Sequence, residues 1–455
     1  MKIEKTFYKT RESICVSHYP CLTRTVVGTE AYRNMELNKP NLLNNKNASI
    51  YIHIPFCDRI CKFCPFNKFP KNESLVEQYL ANVYREIDLY AETPYINSTE
   101  FACIALGGGT PTCLSEEQLY DLIVYCREKL HFSREPEISL EGNPESSDFE
   151  KLQKVAEAGV NRISFGIQTF DTDLSKTLEL HHSPEDGMLA IKNAHKAGIH
   201  NVGIDLMYNI PGQKPEQLKK DLEKAADLGV EHISLFAMNI PPKTKIGKEI
   251  REGKVLPLGN LEWEIGLYML AEKTLASLGY EQYSVYDFAK PNKINLHAVN
   301  YFADQRELLG IGAAAFGYLN GYMYINHGML SEYADTIEKG VTPILYGEKA
   351  SEEDKLWGMF VKGFRMMRIS KQNIKRLFGD RSCQALRDKL DALIEDGLVR
   401  EDEDSFSLTS KGRIYGNDVC SYFIQEQFQK DGVIRHMLTK GVGPEAFQER
   451  KEQEK

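Results

Sequence analysis

Six short apolar runs, each bounded by glycine, proline or asparagine and most of them followed by a stretch with helical spacing, constrain this chain more than any other feature. The runs lie at 49–56, 102–107, 137–142, 162–168, 201–208 and 232–238, and their length and β-branched content predict strands. Helices are expected over 74–90, 115–129, 148–158, 184–197 and 216–228. Ser74 with Glu77, and Ser115 with Gln118, have the form of capping boxes at two of these starts. Strands separated by helices pair in parallel through right-handed crossovers, so the expected class is α/β, with a sheet closed or partly closed into a barrel. Chemistry in such barrels gathers at the C-terminal strand ends. Every distinctive motif of the chain falls there.

Cys57, Cys61 and Cys64 follow the first run with the spacing CxxxCxxC. Thiolates so spaced can hold one face of a four-iron cluster and leave one iron open. A zinc site with His53 as fourth ligand, or cysteines that merely pack, are readings the spacing leaves open. After the second run, Gly107-Gly108-Gly109-Thr110-Pro111 strips away side chains so that main-chain groups can approach a ligand. Strand alternation puts Glu141 and Asn143 on one face, and Ser164 and Gln168 on one face with Gly166, while Asp205 falls late in the fifth run. Any one of these polar residues alone fits a satisfied core or rim group. Their convergence on one rim argues for a site.

At 455 residues the chain exceeds one ordinary core, which suggests a large barrel plus an appendage. A formal charge of -9 argues against nucleic-acid binding. With no apolar run of membrane-spanning length and a mixed-charge start, no membrane association and a cytoplasmic location are expected. Ten cysteines, three of them clustered and the rest scattered, do not make a disulfide framework, and Cys15, Cys21, Cys103, Cys113, Cys126, Cys383 and Cys420 are expected to be core or half-exposed residues. Residues 1–48 read as an N-terminal extension ending in an asparagine-rich turn at 41–47.

The text YIHIPFC...C..C at 51–64, LGGGTPT at 106–112, EISLEGNPES at 137–146, GVNRISFGIQTF at 159–170 and NVGIDLMYNIPGQ at 201–213 resembles the radical S-adenosylmethionine (SAM) superfamily. Within it, the chain resembles the HemN-like group of coproporphyrinogen III dehydrogenases, HemW-type haem chaperones and class C radical methyltransferases. The resemblance implies a partial (β/α)6 barrel over 49–285, a connecting, substrate-shaping segment at 286–350 and a helical, winged C-terminal domain over 351–455. It implies that Cys57, Cys61 and Cys64 ligate a [4Fe-4S] cluster whose open iron chelates SAM. Gly107, Gly108, Gly109 and Thr110 would line the methionine part, Glu141 would meet its ammonium, and Gln168 and Asp205 would hold the ribose. Tyr51 and Phe63 would flank the cluster, with Tyr51 and Glu141 nearest the chemistry, and a second SAM would lie by Tyr301, Phe302 and Ile311. A small-molecule substrate, an electron donor such as flavodoxin or ferredoxin, and a monomeric state follow from the same resemblance. In the C-terminal region, helices over 351–364 and 384–394 and a β-wing at 397–400 and 406–409 fit the family, and the acidic Glu401-Asp402-Glu403-Asp404 counts against DNA.

Several positions depart from the dehydrogenase pattern. Phe66 stands where those enzymes carry a further cysteine, Leu180 replaces an arginine, Tyr301-Phe302 is nearer the chaperone type, and Ser17-His18-Tyr19-Pro20 matches the N-terminal motif only faintly. By contrast, the C-terminal Leu408-Thr409-Ser410-Lys411-Gly412-Arg413 matches the dehydrogenase-like pattern well. Three readings follow. The one preferred on sequence is a class C enzyme that methylates or forms C–C bonds on an sp2 carbon of a tetrapyrrole or other aromatic, since Cys61-Lys62-Phe63-Cys64-Pro65-Phe66 agrees with ring-opening haem methyltransferases. The others are oxidative decarboxylation of coproporphyrinogen, and a haem chaperone with His53, His181, His182 or His297 as axial ligand.

Overall fold

The computed structural model describes residues 8–12, 18–20, 22, 26–41, 46–64, 66–240, 244–379 and 386–426. Ser17, Cys15, Cys21, Cys383, the turn residues 42–45, Pro65, positions 384–385 and everything after 426 lie outside them. All six expected strands form: β1 (Lys46–Ile54), β2 (Glu100–Gly108), β3 (Phe132–Gly142), β4 (Arg162–Gln168), β5 (Val202–Tyr208) and β6 (His232–Ala237). Each pairs in parallel with the next. The helices α1 (Glu73–Ala91), α2 (Glu116–Lys129), α3 (Phe149–Ala158), α4 (Pro184–Lys196) and α5 (Pro215–Asp227) cross between them. Ser115 and Gln118 make the expected reciprocal cap. Ser74 does not: Asn72 is the cap, its Oδ1 accepting the Leu75 N–H at 3.1 Å, because an asparagine two residues earlier already satisfies the first turn.

The sheet runs well beyond these six. Added strands are β7 (Glu281–Gln282), β8 (Asp287–Ala289), β9 (Leu308–Ile311), β10 (Phe316–Leu319), β11 (Tyr322–Asn326) and β12 (Ile344–Lys349). The twelve strands lie in the order β12-β11-β10-β9-β1-β2-β3-β4-β5-β6-β8-β7. The two ends of this order do not pair, so the barrel is partial, as expected. β9 is parallel to β1, and β10 to β12 follow as an antiparallel meander. The connecting stretch 286–350 therefore contributes strands β8 to β12 to the sheet. Its β10–β11 turn is Asn320-Gly321, with φ of 46° and 80°, the left-handed pair that a tight hairpin requires. The outer edge of β12 is covered: Val27 bridges Tyr346, and the helix Gly28–Asn34 follows, with Ala31 against Gly347.

Alternation sorts the β1 side chains. Ile50, Ile52 and Ile54 enter the core between sheet and helices, which leaves Tyr51 and His53 for the barrel interior. A second core is built by α6 (Glu352–Gly363), the helix Arg387–Glu395 and the sheet of β13 (Arg368–Ser370), β14 (Val399–Glu401) and β15 (Ser405–Leu408). Phe360, Phe364, Leu390, Leu393, Phe406 and Phe423 fill it, together with Val285 and Tyr286 from the barrel. The Val285 N–H donates to the Arg365 carbonyl at 2.8 Å, and the Tyr286 hydroxyl to Asn417 Oδ1 at 2.8 Å. Among the described residues no helix is long and apolar enough to cross a membrane.

Candidate functional site

The cysteine loop is pinned at its base. Phe56–Cys57 pairs with Phe69–Pro70, and the N–H groups of Phe69 and Lys71 donate to the carbonyls of Pro55 and Cys57 at 2.6 and 2.8 Å. The glycine run is zipped alongside, Gly109 and Thr110 donating to the Ile54 and Phe56 carbonyls, both at 2.8 Å. A Cβ on Gly109 would stand 2.6 Å from the Phe56 oxygen, and one on Gly107 2.7 Å from Glu141 Oε2. Gly109 faces backbone and admits no side chain, while a side chain at position 107 would displace the Glu141 carboxylate. The Thr110 hydroxyl donates to Cys57 Sγ at 3.3 Å. All three thiols are free, Cys57 buried and the other two half-buried. Burial pushes Cys57 up and Cys61 up to about 12, and the thiols add to this by repelling one another as thiolates. A bound cation would reverse that penalty.

This donor set suits a cluster better than a single ion. Among the described residues no three His, Cys, Asp or Glu side chains converge as one metal ion demands, whereas a cluster takes one thiolate on each of three irons. His53 is committed elsewhere, its Nε2 to the Asn67 carbonyl at 3.2 Å and its Nδ1 to the Tyr51 hydroxyl at 3.1 Å. Phe63 packs with Leu174, Leu178, Ile210 and Ile246, and Leu180 joins the same apolar patch. Buried Lys62 ties the loop to Glu249 at 2.9 Å and Glu179 at 3.5 Å.

The barrel interior beside this loop is acidic. Glu141 accepts the Gly108 N–H at 3.2 Å. It is enclosed by protein yet keeps accessible surface, so it borders a cavity rather than packed core. Burial raises its pKa, and burial together with the charges of Glu141 and Asp287 lifts Asp205 to about 7. Arg162 approaches this group, with Nη1 buried and without a hydrogen-bond partner among the described residues. A cationic ligand would supply the charge that these carboxylates lack. Gln168 sits in the left-handed region at φ 65°, where the β4–β5 register slips between Gly166 and Gln168. Its amide lies over Gly166, 3.0 Å from where a Cβ would be, and Asp221 holds the following turn through the Thr169 hydroxyl at 2.6 Å and the Phe170 N–H at 2.9 Å.

Toward the second core the lining becomes aromatic and basic. Tyr51 stacks on His297 at 6.3 Å, and His297 on Tyr301 at 6.5 Å. The His18 Nδ1 meets the Tyr301 hydroxyl at 3.1 Å, and its ring lies flat on Phe316 at 4.0 Å. Lys362 Nζ stands 4.4 Å over Tyr301, and the Arg365 guanidinium 4.3 Å over Phe302. Glu137 anchors the segment by accepting the Leu296 N–H at 3.0 Å. Burial, with Arg365 nearby, lowers His297 to about 4. His182 spends Nε2 on the Ile167 carbonyl at 3.2 Å. His181 and His297 each keep one buried ring nitrogen without a hydrogen-bond partner among the described residues, and of the two only His297 stands in the aromatic row.

The structure thus gathers Tyr51, Cys57, Glu141 and the glycine run at one strand end, with Asp205 beside Glu141 and Gln168 on the adjoining strand. It does not bring the Ile311 side chain with them. Ile311 pairs in register with Ile52 and is buried in the main core, so it faces the helix layer, and any ligand contact it makes runs through its main chain. His18, Arg162, Asp287, Lys362 and Arg365 neighbour these residues without belonging to the sequence-derived set. Lys362 left a signal, a lysine inside the apolar run Met359-Phe360-Val361-Lys362-Gly363-Phe364.

The Radical SAM superfamily model matches residues 51–225, and the HemN C-terminal domain model residues 350–415. These set the class. The heme chaperone HemW of Bacillus subtilis (strain 168) is 34% identical over 83% of this chain and 99% of that protein, and that of Escherichia coli (strain K12) is 29% identical over 83% and 98%. Anaerobilin synthase of Escherichia coli O157:H7 is 26% identical over 81% of this chain and 82% of its own. Coproporphyrinogen III oxidase (HemN) from Escherichia coli, a radical SAM enzyme, shares the fold with a TM-score of 0.77 at 23% identity, covering 90% of this chain and 97% of that one. The chain belongs to the HemN-like family of the radical SAM superfamily. Membership implies a [4Fe-4S] cluster and SAM.

Proposed function

We propose that this chain is a haem-binding chaperone that also carries a radical SAM centre. The row Tyr51, His297, Tyr301 carries the reading: a neutral imidazole set between two phenol rings, its buried Nδ1 without a hydrogen-bond partner among the described residues. Neutral imidazole is a common iron ligand. The end-to-end likeness to proteins named heme chaperone HemW supports this reading better than the methylating one preferred on sequence, for which neither the second SAM nor C–C bond formation gains support.

On the same proposal Cys57, Cys61 and Cys64 hold the cluster, and the acidic interior takes the sulfonium and ammonium of SAM. Together the bound groups supply one-electron chemistry. The chain's own part is to bind and orient. Gly107 to Thr110 offer main chain to the methionine portion, Glu141 meets the ammonium, and Gln168 and Asp205 hold the diol. Tyr51, hydrogen-bonded to His53, separates this compartment from His297.

Titration of the anaerobically reconstituted protein with haem tests the reading. The wild type should give a shifted Soret band with histidine-ligated iron, and His297→Ala should lose it. No haem binding, with 5′-deoxyadenosine formed as a tetrapyrrole is consumed, would instead support radical chemistry on that substrate, the reading favoured by the likeness to anaerobilin synthase.

A further inference from the structure

Lys362, on α6, is 2% exposed. Its ammonium has no ion-pair or hydrogen-bond partner among the described residues. What it meets is aromatic: the Tyr301 ring at 4.4 Å and the Tyr318 ring at 5.4 Å. Among the described residues the charged and titratable groups nearby, besides the two tyrosines, are Arg365, His18 and His297, none of them an acid. A buried ammonium without a counter-charge is costly, and ring faces offset only part of that cost. Burial pulls this lysine down to about 7. An arriving anion would restore its charge and give the guanidinium of Arg365, which lies over Phe302 and Tyr286, a second acceptor.

We propose that Lys362 and Arg365 form a carboxylate-binding subsite, taking an acidic side arm of the ligand whose iron His297 holds. The subsite rests on the haem-binding reading and adds to it a rule of orientation. Acidic arms point to α6, away from the carboxylates Glu141, Asp205 and Asp287 on the opposite side.

The test compares iron protoporphyrin IX with its dimethyl ester, which keeps the iron and the ring but carries no carboxylate. The wild type should prefer the free acid by about tenfold or more, the usual worth of a charge-assisted hydrogen bond in a buried site. Lys362→Met should abolish most of that preference while melting no lower than the wild type, since it removes an unpaired buried charge. An unchanged acid-to-ester ratio in Lys362→Met, or no preference in the wild type, overturns the subsite and leaves the chaperone reading standing. If the wild type binds neither compound, the chaperone reading falls, and glutarate then decides the subsite. A rise in melting temperature with glutarate in the wild type, absent in Lys362→Met, supports it, and no rise in the wild type overturns it.

Discussion

Asp205 carries the cavity's charge balance. Its carboxyl is lifted to about 7 by burial and by the charges of Glu141 and Asp287. A carboxyl whose folded pKa lies above its unfolded value loses stability as pH rises through the folded pKa, because the native state holds the proton more tightly. A bound cation reverses the preference. SAM affinity should therefore rise with pH and level off above about 7, and Asp205→Asn should flatten that profile while lowering affinity by about tenfold. Equilibrium dialysis of the cluster-loaded protein between pH 6 and 8 reads both. A wild-type profile that is flat would remove Asp205 from the ligand's surroundings.

At the scale of elements, Glu86 shows how a helix holds the site without touching it. From α1 its carboxylate accepts the Gly312 N–H at 2.8 Å, the Asn326 amide at 2.8 Å and the Tyr333 hydroxyl at 2.6 Å. One side chain thereby fixes the turn after β9 and the end of β11. Glu86→Ala strands three buried donors, and a loss of about 3 kcal/mol or more is expected in denaturant melts. The six parallel strands were legible because each is a short apolar run with clear stops. β9 to β12 were harder: β9 is four residues long, buried throughout and fixed by pairing with β1. Between β10 and β11 the one local mark is Asn320-Gly321, a tight-hairpin pair. The cysteine and glycine motifs were legible because their residues are neighbours in sequence. The basic mouth was not, since His18 and Tyr301 meet across 283 positions, and nothing local marks such a pair.

For the whole molecule, the second core decides whether the cavity has a basic wall at all. Phe360 is fully buried, with Phe364, Phe406 and Phe423 rings at 6.1, 6.3 and 5.1 Å, and it sits two residues before Lys362 on α6. Phe360→Ala should cost about 3–5 kcal/mol, read as a lower melting temperature, and should weaken haem binding while leaving the iron content of the cysteine loop unchanged. Loss of iron as well would mean that the two cores do not act as separate units. One further consequence comes from the seam of the unclosed barrel. A sheet that stops short of closure leaves outer strands whose free main-chain groups can template the addition of a strand from another copy. On β12 that side is occupied: Tyr346 bridges Val27, the Gly347 N–H reaches the Val26 carbonyl at 3.1 Å, and the helix Gly28–Asn34 follows. This short N-terminal stretch thus takes up main-chain groups that an added strand would otherwise use.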